Sequence, residues 1–190
     1  MAATSFDNQF LYVATGWEGS AADMRVLKWA LQEGGFKVPQ GKYFLVDSRY
    51  ANTDSFLAPY RGMRYHIGEY NAGQAYTSPE DRYNHRHAQL RNCVEKTFGI
   101  LKMRFAILRT ATRYPIRWQG PIVMACCILH NFIRRTNGND EYFTRTILDE
   151  QSDDADGLDE DPTTYVGPLE SQLGDVLRNS VRDGLQGGVQ

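Results

Sequence analysis

The apolar positions in the first fifty residues form two short runs on either side of a helical pattern. Residues 10–17 (FLYVATGW) are rich in aromatic and β-branched side chains, which predicts a strand. Ser20, followed by Asp23 three residues later, has the form of a capping box at the start of a helix. Apolar residues at helical spacing follow: Met24, Leu27, Ala30 and Leu31. Residues 42–46 (KYFLV) predict a buried strand that ends at Asp47, so the order strand, helix, strand indicates an α/β fold.

The next part of the chain is irregular up to residue 80, and two long helices follow it. The first begins near Pro79 and carries one apolar stripe: Leu90, Val94, Phe98, Leu101, Phe105 and Leu108. Tyr114 and Pro115 end this pattern, because the residue before a proline disfavours the helical conformation. Pro121 then opens a second helix over 122–133 (IVMACCILHNFI), which is apolar on nearly all sides and is therefore predicted to be buried.

Charge divides the chain into a basic body and an acidic tail. Residues 1–135 hold 18 Lys and Arg against 10 Asp and Glu, and residues 136–190 hold 3 against 13. We predict a domain over 1–135 and a largely disordered acidic tail over 136–190, with a weak amphipathic helix at 169–177. A basic body is typical of polyanion binding, although the tail could instead solubilise the body or fold back on it.

Composition excludes several classes of protein. The 42% hydrophobic content predicts a buried core rather than a chain disordered throughout. No apolar run reaches the length of about 18 residues that a membrane-spanning helix needs, so no membrane partner is expected. The N-terminus lacks a basic flank and an apolar segment, so we do not expect secretion. The odd count of three cysteines, two of them adjacent, favours reduced thiols over a disulfide framework.

Two acidic residues occupy positions that could carry chemistry. Asp47 follows a buried strand, and the carboxyl ends of strands in α/β sheets are where ligands bind. The alternative is a turn-forming aspartate. Glu95 lies in the middle of the first long helix, where it could equally form an ordinary surface pair with Arg91 at i,i+4 spacing. Position alone favours the structural alternative for both residues.

Residues 80–117 combine nine basic side chains with three acids and interleaved aromatic residues. Such a stretch could line a phosphate backbone, or it could be a solvated helix face. His130 in the apolar helix is expected to be a hydrogen-bonded core residue rather than a metal ligand. No zinc-binding pattern of Cys and His residues is found.

Several motifs resemble, in order, the nuclease domain of PIF/Harbinger-type transposases and the plant proteins derived from them. The resemblance covers about residues 6–135. The motifs are 16–21 (GWEGSA), 44–47 (FLVD), 56–62 (FLAPYRG), 83–87 (YNHRH), 90–95 (LRNCVE), 98–102 (FGILK) and 125–134 (ACCILHNFIR).

The resemblance implies an RNase H-like fold and an endonuclease in which three carboxylates hold divalent metals, Mg²⁺ or Mn²⁺. On this chain Asp47 matches the second carboxylate and Glu95 the third. The basic helix would face DNA through four side chains: Arg86, Arg91, Lys102 and Arg104. The family also implies a nuclear location, with a Myb-like DNA-binding protein or a chromatin protein as companion.

The chain departs from the family pattern at two places. The family's first aspartate lies upstream of the Trp-Glu-Gly motif at 17–19, so we expect an incomplete RNase H-like fold without its first strand, and impaired catalysis. Ser48 and Arg49 follow Asp47 where the family shows small residues, which places a bulky cation beside the metal site. The alternatives are a domesticated module that binds DNA or chromatin protein without cutting, and a truncated product that does not fold alone.

Overall fold

The computed structural model describes residues 1–65, 70, 75–110, 114–137, 140–146 and 161–186. Contacts between Cα atoms divide the chain into two compact units. The first unit comprises Met1–Ala21 and Asn92–Ala155, and the second comprises Ala22–Arg91 and Asp156–Gln190. Arg113, which belongs to the predicted basic stretch, lies outside the described residues.

The chain alternates between short strands and longer helices. In order, the elements are β1 (Ala2–Thr4), β2 (Phe10–Val13), α1 (Asp23–Gln32), β3 (Phe44–Leu45), β4 (Phe56–Leu57), α2 (Pro79–Arg104), a 3₁₀ turn (Ala106–Leu108), α3 (Ile116–Asn137), α4 (Glu141–Thr146), a second 3₁₀ turn (Pro162–Tyr165) and α5 (Pro168–Gly184). The second half of α2 belongs to the first unit and its first half to the second unit. This mixture of helices with small sheets is compatible with the predicted α/β class.

The first unit is built on a hairpin of β1 and β2. The two strands pair antiparallel, with Ala2 opposite Val13 and an irregularity after Ala3. Phe10 of β2 joins a buried core that also contains Leu101, Cys126 and Cys127. The strand predicted over 10–17 is therefore present, although it is shorter.

Two polar side chains of α3 form hydrogen bonds with the backbone of this hairpin. The side-chain amide of Asn131 donates to the Phe10 carbonyl oxygen and accepts from the Phe10 amide, each at 2.8 Å. Nε2 of His130 lies 2.7 Å from the carbonyl oxygen of Asn8, a turn residue whose φ of 56° is in the left-handed region that asparagine tolerates. His130 is fully buried, which confirms the prediction of a hydrogen-bonded core histidine.

Helix α3 differs from its prediction in length and in burial. It begins at Ile116, so Pro121 lies inside the helix rather than at its start. As the sixth residue of the helix, the proline removes one backbone hydrogen bond of the second turn. The prediction of burial on all sides is wrong, because one face is buried and the other exposes Ile128, Leu129 and Phe132.

In the second unit, α1 packs one face inward through Met24, Val26, Leu27 and Ala30. Its N-cap is Ala22, which makes no side-chain capping bond, so the predicted capping box at Ser20 is wrong. The residues before the helix instead form a turn, in which the Ala21 amide donates to the Glu18 carbonyl oxygen at 3.0 Å. Burial of the apolar face therefore stabilises this helix without a side-chain cap.

Strands β3 and β4 pair in parallel, with Phe44 opposite Phe56 and Leu45 opposite Leu57. Phe36 packs beside them, with its ring centroid 5.2 Å from that of Phe44. Strand β3 lies within the predicted strand 42–46, but its residues are only half-buried. The buried strand is β4, which lies in the stretch that the sequence predicted to be irregular.

Parts of the predicted acidic tail are ordered. Helix α5 packs on the second unit through Gly174, where an added Cβ would lie 2.5 Å from the Thr53 Cα atom. In the same unit, Asn179 accepts a 2.6 Å hydrogen bond from the Tyr60 hydroxyl, and Arg182 pairs with Glu80 at 2.7 Å. Residues 140–146 and 161–186 are thus not the disordered tail that composition predicted. The rest of that tail, 147–160 and 187–190, lies outside the described residues.

Candidate functional site

Asp47 lies at the carboxyl end of β3, where the sequence predicted it. The pairing with β4 continues one residue past the strand, because the Val46 amide donates to the Leu57 carbonyl oxygen at 3.0 Å. On the neighbouring strand, the Ala58 amide donates to the side-chain oxygen of Asn52 at 3.1 Å. The parallel pairing places the ends of both strands at the same edge, where Asp47 follows β3 and the Asn52 side chain bonds to the residue after β4.

Hydrogen bonds hold both carboxylate oxygens of Asp47. Oδ1 accepts from the backbone amide of Arg49 at 2.9 Å, which forms a tight turn. Oδ2 accepts from a terminal nitrogen of the Arg91 guanidinium at 3.1 Å. The Asp47 and Arg91 side chains are 25% and 14% exposed, so this ion pair is partly desolvated. The turn-forming alternative for Asp47 is thus realised, and a cation faces its second oxygen.

Tyr50 lies in the turn that follows Asp47. Its amide donates to the Asp47 carbonyl oxygen at 3.2 Å and closes the turn. Burial, followed by the negative charges of Asp23 and Asp47, raises the pKa of the Tyr50 phenol well above its ordinary value. The phenol therefore stays neutral at physiological pH, and its hydroxyl proton is retained.

Glu95, the other predicted catalytic and metal-binding residue, is half-buried on α2 in the first unit. Helix α2 is continuous from Pro79 to Arg104, so Glu95 follows Arg91 by one turn, as the sequence predicted. Asp47 belongs to the second unit. A shared cation between Asp47 and Glu95 stays a prediction.

The four side chains predicted to face DNA occupy different environments. Arg86 and Lys102 are exposed, and Arg86 donates to the Gln89 side chain at 3.1 Å. Arg91 pairs with Asp47, as described above. Arg104 is only 5% exposed, forms an ion pair with Asp140 and donates to Nδ1 of His130 at 2.8 Å. Of the four, only Arg86 and Lys102 present their charges to solvent.

His87 is a buried residue whose role the sequence did not indicate. Its Nε2 lies 2.9 Å from the Leu57 carbonyl oxygen, which ties α2 to β4 within the second unit. Burial lowers the pKa of His87 to about 4, so the imidazole is neutral at pH 7 and Nε2 donates to that carbonyl. Its sequence surroundings (YNHRHAQLR) are mostly polar and gave no signal of burial, and its partner is thirty residues away in the chain.

Asp81 is a second such residue. It is 1% exposed and forms an ion pair with Arg64. It also accepts hydrogen bonds from the Thr77 amide at 2.8 Å and the Thr77 hydroxyl at 3.0 Å. The bond from Arg64 is the main reason that the pKa of Asp81 is held far below its ordinary value. This charge is fully compensated, so the cluster serves to anchor the start of α2.

The Asp47 carboxylate is the atom group of this site that could bind a divalent metal. A carboxylate oxygen at a strand end suits Mg²⁺ or Mn²⁺, and Mg²⁺ is commonly bound by one or two carboxylates together with water and substrate phosphates. Asp47 fits as one such ligand, with Arg91 as the cation that a metal would replace. Within the described ranges, no three His, Cys, Asp or Glu side chains cluster as a metal-binding group.

Among the helices of the described residues, none has the length and apolar character to cross a membrane.

Comparison with known proteins gives a consistent family. The model of the DDE superfamily endonuclease family matches residues 1–131. The protein named "Putative nuclease HARBI1" from Homo sapiens is 33% identical over 124 residues, which is 63% of this chain and 32% of that protein. Its counterpart in Rattus norvegicus is 32% identical over 124 residues, with the same shares covered. The Xenopus laevis protein is 32% identical over 127 residues, which is 64% of this chain and 33% of that protein.

The chain spans about a third of the length of these curated relatives. No solved structure matches it. The family match covers more than half of the chain, including β1 to β4, α1, α2 and most of α3. The chain belongs to the family of DDE superfamily endonucleases.

Proposed function

We propose that this chain is a Harbinger transposase-derived endonuclease domain that binds a divalent metal and acts on DNA phosphodiesters. The proposal rests chiefly on Asp47, an acidic residue at the end of a strand within the family match. The finer fold that we propose is RNase H-like. We further propose a nuclear location and a companion Myb-like or chromatin protein, because DNA is the expected substrate.

In this proposal, Asp47 and Glu95 hold the metal, as Mg²⁺ or Mn²⁺. When bound, such a metal activates a water or a 3′ hydroxyl group and stabilises the leaving oxygen of the phosphodiester. The chain's exposed cations, Arg86 and Lys102, bind backbone phosphates and orient the DNA. Because the resemblance assigns only two of the family's three carboxylates to residues of this chain, we expect its hydrolysis to be weak or lost.

A second candidate function is a module that binds DNA or a chromatin protein without cutting. The Arg91 guanidinium on Asp47 favours this alternative, because a carboxylate that is already paired with a cation has less need of a metal. Exposed Arg86 and Lys102 would serve DNA binding equally well in either case. Substitution of either residue by glutamine should weaken DNA binding and reduce its salt dependence by about one phosphate contact.

A nicking assay on supercoiled DNA separates the two functions. With Mn²⁺ or Mg²⁺ present, the full chain should nick slowly, and Glu95→Gln should abolish the reaction. Glu33→Gln, at an exposed glutamate just after α1, is the matched control and should nick like the wild type. Nicking that survives Glu95→Gln would contradict the role of Glu95. Salt-dependent DNA binding without nicking would favour the second function. Absence of both nicking and DNA binding would exclude both functions.

A further inference from the structure

The ion pair between Asp47 and Arg91 suggests how the candidate site changes when a metal arrives. We propose that Arg91 is a positioning residue: an internal counter-cation that holds the Asp47 carboxylate and competes with a divalent metal for its Oδ2 atom. This inference rests on the proposed function, because it takes Asp47 to be a metal ligand.

The geometry identifies which oxygen is contested. Oδ1 of Asp47 accepts from the Arg49 backbone amide, a bond within one turn that fixes the orientation of the carboxylate. Oδ2 then points to Arg91, which lies on another element and 44 residues further along the chain. A metal approaching Oδ2 meets the guanidinium at 3.1 Å from that atom. The metal and Arg91 therefore compete for Oδ2.

Burial explains why the carboxylate has a partner at all. Asp47 is three-quarters shielded from water, and Arg91 is shielded further. A charge that is partly removed from water requires compensation, and removal of one partner leaves the other uncompensated. Arg91 supplies that compensation in the metal-free chain and keeps the carboxylate in place.

The cation that bonds to Oδ2 is Arg91, in addition to the Arg49 that the sequence indicated beside Asp47. The guanidinium of Arg49 lies 3.8 Å from Asp23, and its side chain is 41% exposed. The backbone amide of Arg49 bonds to Oδ1 of Asp47. A cation from α2 therefore bonds to Oδ2, the other oxygen of the predicted metal ligand.

The sign of the effect follows from charge. A guanidinium near Oδ2 repels an incoming divalent cation and must also be displaced from its hydrogen bond. Replacing Arg91 by glutamine removes the positive charge and retains a polar side chain of similar length. We expect divalent cations to bind Asp47 about tenfold more tightly in Arg91→Gln, as for the loss of one unit charge a few ångströms away in a largely aqueous dielectric.

Calorimetric titration of Mn²⁺ into the full chain measures this directly. Compared with the wild type, Arg91→Gln should bind about tenfold more tightly, and Asp47→Asn combined with Arg91→Gln should lose the gain. Arg82→Gln, at a position nine residues earlier on α2, controls for net charge and should change affinity less than about twofold. Equal affinities for wild type and Arg91→Gln, or a gain that persists without Asp47, would overturn the inference.

A measurement on the wild type covers the case in which Arg91→Gln does not fold. In a chain with ¹⁵N-labelled arginine, titration with Mg²⁺ should shift the side-chain resonance of Arg91 as the guanidinium leaves Asp47. The Arg82 resonance should not shift. An Arg91 resonance that stays unchanged at Mg²⁺ concentrations that produce binding heat would contradict the inference.

The outcomes also separate this inference from the proposed function. If Arg91→Gln binds Mn²⁺ more tightly through Asp47 but the chain neither binds nor nicks DNA, the proposed function fails and the inference stands. If DNA is nicked in a Glu95-dependent manner and the Mn²⁺ affinity does not depend on Arg91, the inference fails alone.

Discussion

Two arginines of α2, one in each unit, are held by carboxylates in very different surroundings. In the first unit, Arg104 is 5% exposed and bonds to both Asp140 and the buried His130. In the second unit, Arg91 is 14% exposed and pairs with Asp47. The two carboxylates are shielded to a similar extent, 20% exposed for Asp140 and 25% for Asp47, so the pairs differ mainly in the burial of the guanidinium and in the bond of Arg104 to a fully buried histidine. The burial of the guanidinium among core residues, rather than the presence of an ion pair, distinguishes an anchor from a candidate site.

The Asp140 pair is also connected to more of its unit. Oδ1 of Asp140 accepts from the Phe143 amide at 3.1 Å and caps the short helix α4. The Phe143 ring lies under two cations, with Lys96 Nζ at 4.6 Å and the Arg134 guanidinium carbon at 4.3 Å from its centre. Loss of Arg104 would therefore disturb a network that includes a capped helix and a buried histidine.

The largest expected effect is that of Arg104→Gln. It leaves Asp140 without its guanidinium and His130 without its donor, so we expect unfolding free energy to fall by about 4 kcal/mol. Chemical denaturation measures the change. Arg109→Gln, at an exposed arginine in the same unit, is the control and should stay within about 0.5 kcal/mol of the wild type. A loss below about 1 kcal/mol for Arg104→Gln would break the comparison, because the buried pair would then behave like a surface pair.

The next effect is a pH dependence from His87, which lies one turn before Arg91 on α2. Burial lowers the pKa of His87 to about 4 in the folded chain, against about 6.5 when unfolded. The unfolded chain therefore binds a proton that the folded chain does not, and stability is lost as pH falls from about 6.5 to about 4. The total loss is about 3 kcal/mol from this residue.

Denaturant unfolding between pH 7 and pH 4 tests this expectation. His87→Gln can still donate to the Leu57 carbonyl oxygen but cannot be protonated, so its stability should depend less on pH than that of the wild type. Part of the dependence should persist, because burial also lowers the pKa of His130. An unchanged pH profile in His87→Gln would show that folding does not lower the pKa of this histidine.

The smallest expected effect is that of Arg91→Gln on stability. The pair with Asp47 is only partly shielded, and Asp47 keeps its bond from the Arg49 amide, so we expect a loss of about 1 kcal/mol in the absence of metal. The measurement is the same denaturation used for Arg104→Gln. A loss as large as that for Arg104 would mean that Asp47 and Arg91 form an anchor of the second unit rather than an accessible site.

Local patterns in the sequence predicted much of the secondary structure. Helix α2 begins at Pro79 as expected, since proline is favoured in the first turn and the Ser78 hydroxyl accepts from the Asp81 amide at 3.1 Å. Asp47 at the end of a strand also follows from local pattern alone. The helix predicted at 169–177 is shorter than α5. Small and polar residues of α5 make its contacts: Gly174 with Thr53, Asn179 with Tyr60 and Arg182 with Glu80. An apolar-periodicity argument does not detect such a docking face.

What the sequence determined by itself was the family, the positions of β2, α1, β3 and the two long helices, and the placement of Asp47 and Glu95 on a strand end and a helix. Periodicity, turn residues and short motifs act over a few residues, and these features are local. Only the tertiary structure decided that Arg91 meets Asp47 and that Arg104 is buried with Asp140, because these partners are 44 and 36 residues apart in the chain. Nothing in a basic helical stretch distinguishes an arginine that faces solvent from one that neutralises a carboxylate, since that depends on which distant segment packs against it.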